Sequence, residues 1–318
     1  MIFSNATCIR HVDLKALTIG PAALVALSSP CPALRVHSIF SSTVNLAVEG
    51  SAFLVALTGP EGAVYPQAVA LGPDDLAVPP LAVGDQGRSV DSCLHLTTVG
   101  GSVTVDFRAA ARPVRQDLTT ITDFDKGGAF YACSRRLAQY QATVSADLRI
   151  DLVMGPETTA GSPLGDALSR SARALLAGAR ARRGRESLSR PVCALLGAGP
   201  GLTPAGDDFL CGFLAAARAT RPSDGGGRRA AQEIDGALCK SIEDSIALTG
   251  EISASLLRMA IRGYWPRPLA DLLGGIAAGH RGPSLLALDE LCALGHSSGS
   301  DIATGFLCGH YALISEGA

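Results

Sequence analysis

The chain has 318 residues, of which 47% are hydrophobic and 18% are charged, and its formal net charge is −2. These values indicate a compact globular protein that is long enough for about two domains. A net charge this close to zero argues against the basic surface that is typical of nucleic-acid-binding proteins, so no nucleic-acid partner is expected.

The nine cysteines are scattered and include no C-x-x-C pair, which is typical of reduced thiols in the cytoplasm. Residues 16–34 carry no charge, but three prolines interrupt them and disfavour a membrane-spanning helix. Asp13 is also unlike the basic start of a signal peptide. We therefore expect a cytoplasmic protein without a membrane partner.

The first half of the chain favours β-strands. A helix is predicted near residues 20–27, and short runs rich in Val, Ile and Phe follow it from residue 35 to residue 107. Gly-Pro and Gly-Ala turn signals separate these runs. The interpretation is a β-rich domain with a short N-terminal helix over residues 1–125.

The second half favours helices, most of which end near a glycine, as helix C-termini often do. Residues 221–229, "RPSDGGGRR", predict a flexible connection, and no repeat of fixed period is apparent. The predicted fold class is α+β, with the β-rich domain followed by a mainly α-helical domain over residues 126–318. Helices are predicted at residues 129–142, 164–181, 207–219, 229–247, 253–261, 268–278, 284–294 and 301–314.

The most unusual stretch is "GAGPGLTPAGDDFLCG", residues 197–212. Thr203 is predicted to cap a helix whose first residue is Pro204, since proline suits that position. Asp207 and Asp208 then fall in or just after the first turn, where carboxylates favour the helix dipole. One interpretation is a capped helix whose glycines permit close packing.

A functional interpretation rests on two carboxylates beside a glycine-rich loop, because capping needs only one. The carboxylates could hold Mg²⁺ that bridges to a phosphate on the backbone amides of the loop. Alternatively, they could accept hydrogen bonds from an NH₂-bearing substrate while the amides bind its anionic end. The chain has no Walker A motif, and Leu202 replaces the last glycine of a dinucleotide fingerprint.

Two further junctions combine glycine with polar residues. In "ALTGEISASLL", residues 247–257, Glu251 follows Gly250 between two predicted helices and is either a capping carboxylate or a functional one. In "LGHSSGSDIATGFLCG", residues 294–309, the string G-x-S-x-G resembles a hydrolase nucleophile elbow at Ser297. The predicted helix before it and the short remaining chain argue against that match.

The alternative for the third junction is a helix start, with Ser298 or Ser300 as its N-cap and Asp301 in its first turn. His296 then faces the opposite side of a candidate site and is the histidine with the strongest functional case. No histidine pair has metal-ligand spacing, so no metal site is predicted. The cofactor is left unknown, with Mg²⁺ on Asp207 and Asp208 as an option.

The long string G-x-G-x-G-L-T-P-x-G-D-D, together with "TGEISASLL", "GHSSGSDIATGFLCG" and "VHSIFSSTVNLAV", resembles the AllH-type subunit of oxamate carbamoyltransferase. The resemblance implies a transferase of allantoin (purine) catabolism, which converts oxalurate and phosphate to oxamate and carbamoyl phosphate. It also implies a heteromeric complex with other subunits, one of which is similar to acyl-CoA synthetases. The family supplies no catalytic residues to carry over.

The candidate site therefore comes from the residues alone and requires the three junctions to meet. Two alternatives stay open: a non-catalytic assembly subunit of such a complex, and a Mg²⁺-dependent phosphoryl-transfer enzyme. Asp207, Asp208 and His296 are predicted to be catalytic, and Gly199, Gly201, Thr203, Gly206, Glu251, Ser297, Ser298 and Asp301 are predicted to bind the substrate.

Overall fold

The computed structural model describes residues 10–73, 75, 81–115, 117–122, 125–144, 146–156, 162–181, 185–220 and 225–314. The chain divides into two compact units, one formed by Met1–Gln116 with Tyr264–Arg267 and the other by Asp117–Gly263 with Pro268–Ala318. The first unit is rich in strands and the second is helical, which confirms the α+β class.

The first unit contains a mixed nine-stranded sheet whose strand order is β1-β9-β8-β7-β3-β4-β5-β6-β2. The β1–β9 and β5–β6 pairs are parallel, and the other pairs are antiparallel. Within the described residues of this unit, the strands and the single α-helix are β1 (Arg10–Lys15), β2 (Thr18–Ile19), α1 (Pro21–Leu27), β3 (Ala33–Ile39), β4 (Thr43–Val48), β5 (Val55–Thr58), β6 (Ala68–Ala70), β7 (Gln86–Val90), β8 (Cys93–Thr98) and β9 (Gly101–Asp106).

The helix predicted near residues 20–27 is confirmed, but two strands that were not predicted precede it. In β1, the buried Leu14 lies between the exposed Asp13 and Lys15, and this alternation has the period of a strand. The pattern is too short to be distinctive without its partner, because β1 pairs with β9 more than eighty residues later. The strand at this edge of the sheet is therefore determined by pairing with a distant segment and not by its own local pattern.

In the described part of the chain, the second unit contains ten α-helices. Eight match the predicted ones to within a few residues, while α3 and α5 were not predicted; α5 contains an internal proline, Pro191, which weakens its helical pattern. The bounds are α2 (Ala129–Gln141), α3 (Ile150–Met154), α4 (Pro163–Arg180), α5 (Arg185–Leu195), α6 (Ala205–Ala219), α7 (Gly225–Asp244), α8 (Glu251–Ile261), α9 (Arg267–Ala278), α10 (Arg281–Cys292) and α11 (Ser298–Ile314).

Helices α6 and α11 form the centre of the second unit. Both are apolar on nearly all sides, which is typical of a helix that is surrounded by protein. Thr203 contacts Ser298 at their beginnings, and Thr220 contacts His310 toward their ends. Residue numbers therefore rise together along both helices, which means that the two helices run parallel.

Glycines allow the two central helices to approach backbone to backbone. A Cβ atom at Gly212 would overlap the carbonyl oxygen of Ile302, and a Cβ atom at Gly305 would overlap that of Phe209. Phe213 and Phe306, which follow these glycines, are completely buried. The close packing predicted as one use of the glycines is therefore found at these two positions.

The predicted connection at residues 221–229 is wrong in its second part, because α7 begins at Gly225. Residues 221–224 lie outside the described residues. The eight cysteines in the described ranges are all free. A search of the described residues finds no helix with the length and hydropathy needed to span a membrane.

Candidate functional site

The three glycine-containing junctions meet at the beginnings of α6 and α11. The hydroxyls of Thr203 and Ser298 are 2.8 Å apart, which joins the first junction to the third. The Ser253 hydroxyl donates to Asp207 Oδ2 at 2.7 Å and Thr249 donates to the same oxygen, which joins the first junction to the second. Residues up to 95 positions apart in sequence thus form one polar cluster.

Asp207 joins the first junction to the second through its hydrogen bonds. Its carboxylate is 1% exposed, and its Oδ1 accepts a 2.9 Å hydrogen bond from the Gly197 N–H. With the two hydroxyl donors on Oδ2, three hydrogen bonds satisfy both oxygens of a deeply buried carboxyl group. Asp207 therefore positions the glycine-rich loop and the start of α8.

Asp208 has the opposite environment. Burial raises the pKa of its carboxyl well above the usual value, and negative charge on Asp301 raises the pKa further. Hydrogen bonding with the neighbouring Ser298 and Thr203 side chains opposes this rise. Its Oδ2 is buried and has no hydrogen-bond partner among the described residues. These surroundings therefore favour the uncharged form of the Asp208 carboxyl.

Asp301 lies in the first turn of α11, as predicted. Burial raises the pKa of its carboxyl to about 8, and a hydrogen bond from Ser297 limits the rise. Its Oδ1 is also buried without a hydrogen-bond partner in the described ranges. Asp208 and Asp301 form a pair of buried carboxyls that interact, so their protonation is coupled.

The parallel arrangement of α6 and α11 gives a reason for the acidic residues. Two parallel helices place two positive ends of helix dipoles side by side, which favours the ionised form of a nearby carboxyl and so acts against the effect of burial. Asp207 and Asp208 are in the first turn of α6, and Asp301 is in the first turn of α11. The three aspartates (hereafter the aspartate cluster) lie where two helix dipoles act together.

The loop before α6 exposes backbone N–H groups. Gly199 and Gly201 have φ angles of 131° and 91°, a region that favours glycine. No backbone carbonyl of the described residues accepts a hydrogen bond from either N–H. Gly206 differs, because its N–H donates to the Ala198 carbonyl at 2.9 Å. The amides of Gly199 and Gly201 can therefore bind a ligand, whereas that of Gly206 is already used.

The predicted role of Thr203 as N-cap is wrong. Pro204 occupies the N-cap position with an extended ψ of 143°, so α6 begins one residue later than predicted, at Ala205. This leaves the Thr203 hydroxyl directed toward Ser298. At the third junction, α11 begins at Ser298, so Ser300 lies inside the helix and its hydroxyl donates to the Ser297 carbonyl.

The nucleophile-elbow interpretation of Ser297 lacks its structural context. Helix α10 ends at Cys292, so a helix and not a strand precedes the G-x-S-x-G string. Ser297 instead hydrogen-bonds to the Asp301 carboxyl. The other two predicted site residues of these junctions, Glu251 and His296, are exposed. Glu251 is the first residue of α8, and His296 lies in the turn that leads into α11.

The geometry does not favour Mg²⁺ on the Asp207 and Asp208 pair. Both Asp207 oxygens already accept hydrogen bonds, so neither has the open geometry of a metal ligand. Among the described residues, no group of three or more His, Cys, Asp or Glu side chains has the arrangement of a metal site.

A short internal similarity was missed in the sequence. The string G-x-D-x-x-x-G-F-L occurs at residues 206–214 and again at residues 299–307. The two copies make equivalent contacts, since Cβ atoms at Gly206 and Gly299 would overlap the carbonyl oxygens of Leu195 and Leu291. This string predicts that Asp208 and Asp301 occupy equivalent positions on two equivalent helices.

A comparison with known protein families gives a match to the part of the chain that contains this arrangement. Residues 195–310 match the family model described as oxamate carbamoyltransferase subunit AllH. The match covers about a third of the chain and is a similarity of that segment to the family. The matched segment includes the glycine-rich loop, the start of α8 and the whole aspartate cluster. No solved structure is significantly similar to the chain.

Proposed function

We propose that this protein is a subunit of a heteromeric oxamate carbamoyltransferase of allantoin degradation and that it contributes part of the substrate site. The meeting of the three junctions, through Asp207 for the first two and through the Thr203–Ser298 contact for the third, is the observation that carries this proposal, and the family match supports it. The substrates are oxalurate and phosphate in one direction, and oxamate and carbamoyl phosphate in the other.

The amides of Gly199 and Gly201 suit an anionic phosphate or carboxylate group. Both N–H groups are free of backbone acceptors in the described ranges, and their loop precedes the positive end of α6. His296, exposed in the neighbouring turn, supplies a further donor for an anionic oxygen. The loop and His296 are therefore the proposed substrate contacts.

The proposed role of Asp208 is proton transfer. When oxalurate reacts, its carbamoyl C–N bond breaks and a C–O bond to phosphate forms, so the oxamate nitrogen gains a proton that the phosphate loses. A carboxyl whose pKa is raised by burial can hold a proton, donate it to that nitrogen and then recover a proton from phosphate. Asp207 only positions the loop, because its oxygens are already hydrogen-bonded.

The activity test uses the complex reconstituted with its partner subunits. We expect Asp208→Asn to lower kcat at least about 100-fold with a smaller change in KM, because proton transfer contributes about 10²–10⁴-fold to rate. Asp271→Asn is the matched control, since Asp271 is exposed on α9. Unchanged kcat for Asp208→Asn would refute the proton-transfer role.

The binding test uses the purified chain titrated calorimetrically with carbamoyl phosphate, oxamate and oxalurate, with and without Mg²⁺. Binding of at least one anion that His296→Gln weakens supports a substrate site in this chain. If none of these anions bound to either the isolated chain or the reconstituted complex, the result would argue against a substrate site in this chain.

The second candidate is a non-catalytic assembly subunit. The observation in its favour is that Asp207, Asp208 and Asp301 are each no more than 2% exposed, as expected of groups that hold helices together. An assembly role predicts that Asp208→Asn and His296→Gln both leave kcat and KM unchanged, while Asp207→Ala lowers the yield of complex.

A further inference from the structure

We propose that a pocket between α3, α4 and α11 binds a small organic anion, a carboxylate or phosphate ester with an apolar body. The pocket has a volume of about 650 Å³ and lies entirely within the second unit. Val153, Met154 and Leu176 contribute apolar surface, and Arg173, Arg180 and Tyr311 contribute polar groups. None of its nine lining residues is acidic.

The Arg180 guanidinium is the group that points to a ligand. Its Nε is buried and has no hydrogen-bond partner among the described residues. Its Cζ lies 4.4 Å from the centroid of the Tyr311 ring, so the ring fixes the plane of the guanidinium. A buried N–H without an acceptor is costly and uncommon in folded proteins. A ligand carboxylate or phosphate in the pocket supplies the missing acceptor.

Arg173 has a different role in the same pocket. Its Nε donates to the Leu152 carbonyl at 2.8 Å, and its Nη2 donates to the Pro156 carbonyl at 3.0 Å. These bonds fix the C-terminal end of α3 and hold a second positive charge beside the pocket. Arg173 therefore adds to the positive potential, while Arg180 retains the donors that a ligand can use.

The pocket is separate from the aspartate cluster. Tyr311 and Asp301 are ten residues apart on α11, which corresponds to about 15 Å along a helix. The absence of acidic residues from the described lining and the planar guanidinium favour an anion that accepts two parallel hydrogen bonds. The apolar surface of Val153, Met154 and Leu176 favours a ligand larger than an inorganic ion.

The test is calorimetric titration of the full chain with phenyl phosphate and benzoate, which share an apolar ring but differ in the anionic group. Inorganic phosphate tests whether the apolar body matters, and benzyl alcohol tests whether the charge matters. We expect at least one of the two organic anions to bind with a Kd below about 1 mM and the alcohol not to bind.

Arg180→Met keeps much of the side-chain volume and removes the guanidinium, so we expect at least a tenfold loss of affinity. Arg180→Lys keeps the charge and loses the paired donors, so we expect a smaller, several-fold loss. Arg170→Met is the control, because Arg170 is exposed on α4 and does not line the pocket. Circular dichroism of each variant verifies that it is folded.

Equal binding of phenyl phosphate and benzoate to wild type and Arg180→Met would overturn the proposal. Lack of binding by every anion would also overturn it. If Arg180→Met instead reduced only the assembly with a partner subunit, the acceptor for Arg180 would be an acidic side chain of that partner, and the small-anion proposal would be wrong.

Discussion

Thr203 and Ser298 share a hydrogen bond of 2.8 Å between their hydroxyls, although 95 positions separate them in sequence. The bond joins the loop before α6 to the first residue of α11. Both hydroxyls also face the Asp208 carboxyl. This contact is therefore the point at which the two parallel helices and the buried acid are held together.

A double-mutant cycle measures the energy of this contact. We expect Thr203→Val and Ser298→Ala to be non-additive, with a coupling energy of about 1 kcal/mol in the free energy of unfolding. Urea denaturation of the wild type, both single variants and the double variant gives this value. Thr203→Val combined with Ser171→Ala is the control, since Ser171 bonds only within α4 and should be additive. A coupling indistinguishable from that control would contradict a direct interaction.

Asp207→Ala is expected to destabilise the second unit strongly. The substitution leaves the Gly197 N–H and the hydroxyls of Thr249 and Ser253 without their acceptor. Three unsatisfied buried donors predict a decrease of about 3–5 kcal/mol in the free energy of unfolding, measurable by urea denaturation. Asp271→Ala on the surface of α9 should change it by less than about 0.5 kcal/mol. A small effect of Asp207→Ala would mean that the three donors find other acceptors.

The raised pKa of Asp301 predicts a specific dependence of stability on pH. The folded state holds this proton up to about pH 8, whereas an unfolded aspartate loses it near pH 4. The folded state thus binds more protons in this window, so the contribution is greatest below about pH 4 and is lost as pH rises toward 8. The slope for one group reaches about 1.4 kcal/mol per pH unit.

Asp301→Asn removes this contribution, because an amide does not titrate. Between pH 5.5 and pH 7.5 the free energy of unfolding should fall more steeply for the wild type than for Asp301→Asn, as measured by urea denaturation at each pH. Asp271→Asn should keep the wild-type slope. Parallel curves for wild type and Asp301→Asn would show that Asp301 is already ionised at pH 5.5.

The contact between α6 and α11 predicts that alanine is not tolerated at its glycines. A Cβ atom at Gly212 would overlap the Ile302 carbonyl, and a backbone carbonyl cannot move aside as a side chain can. We expect Gly212→Ala and Gly305→Ala each to lower the free energy of unfolding by about 3 kcal/mol or more. Thermal unfolding monitored by circular dichroism measures this loss.

Gly236→Ala is the matched control for these glycines. Gly236 lies in α7, and nothing is within 4 Å of the position of an added Cβ atom. Because alanine favours a helix, Gly236→Ala should raise the free energy of unfolding by about 0.5–1 kcal/mol. If Gly212→Ala behaved like Gly236→Ala, the close backbone contact would be incorrect.

Local patterns in the sequence predicted much of the fold. The alternation of residues 102–107 and the apolar run of residues 207–219 were enough for β9 and α6, because strand and helix periods are read over a few residues. The glycine at the end of α8, Gly263, has a φ of 77°, as its C-terminal position predicts. Strands β1 and β2 were not predicted, because their sequence patterns are short and their partner strands are distant in sequence.

The sequence by itself determined which residue types stand at the three helix starts: glycines that free the backbone, hydroxyls and three aspartates. Only the tertiary structure decided that α6 and α11 run parallel and that Asp207 is fully hydrogen-bonded while its neighbour Asp208 is not. Adjacent carboxyls have the same local pattern but point to different surroundings on a helix. The two hydroxyls that donate to Asp207, those of Thr249 and Ser253, lie more than 40 residues away in sequence, so tertiary packing gives the two aspartates different surroundings.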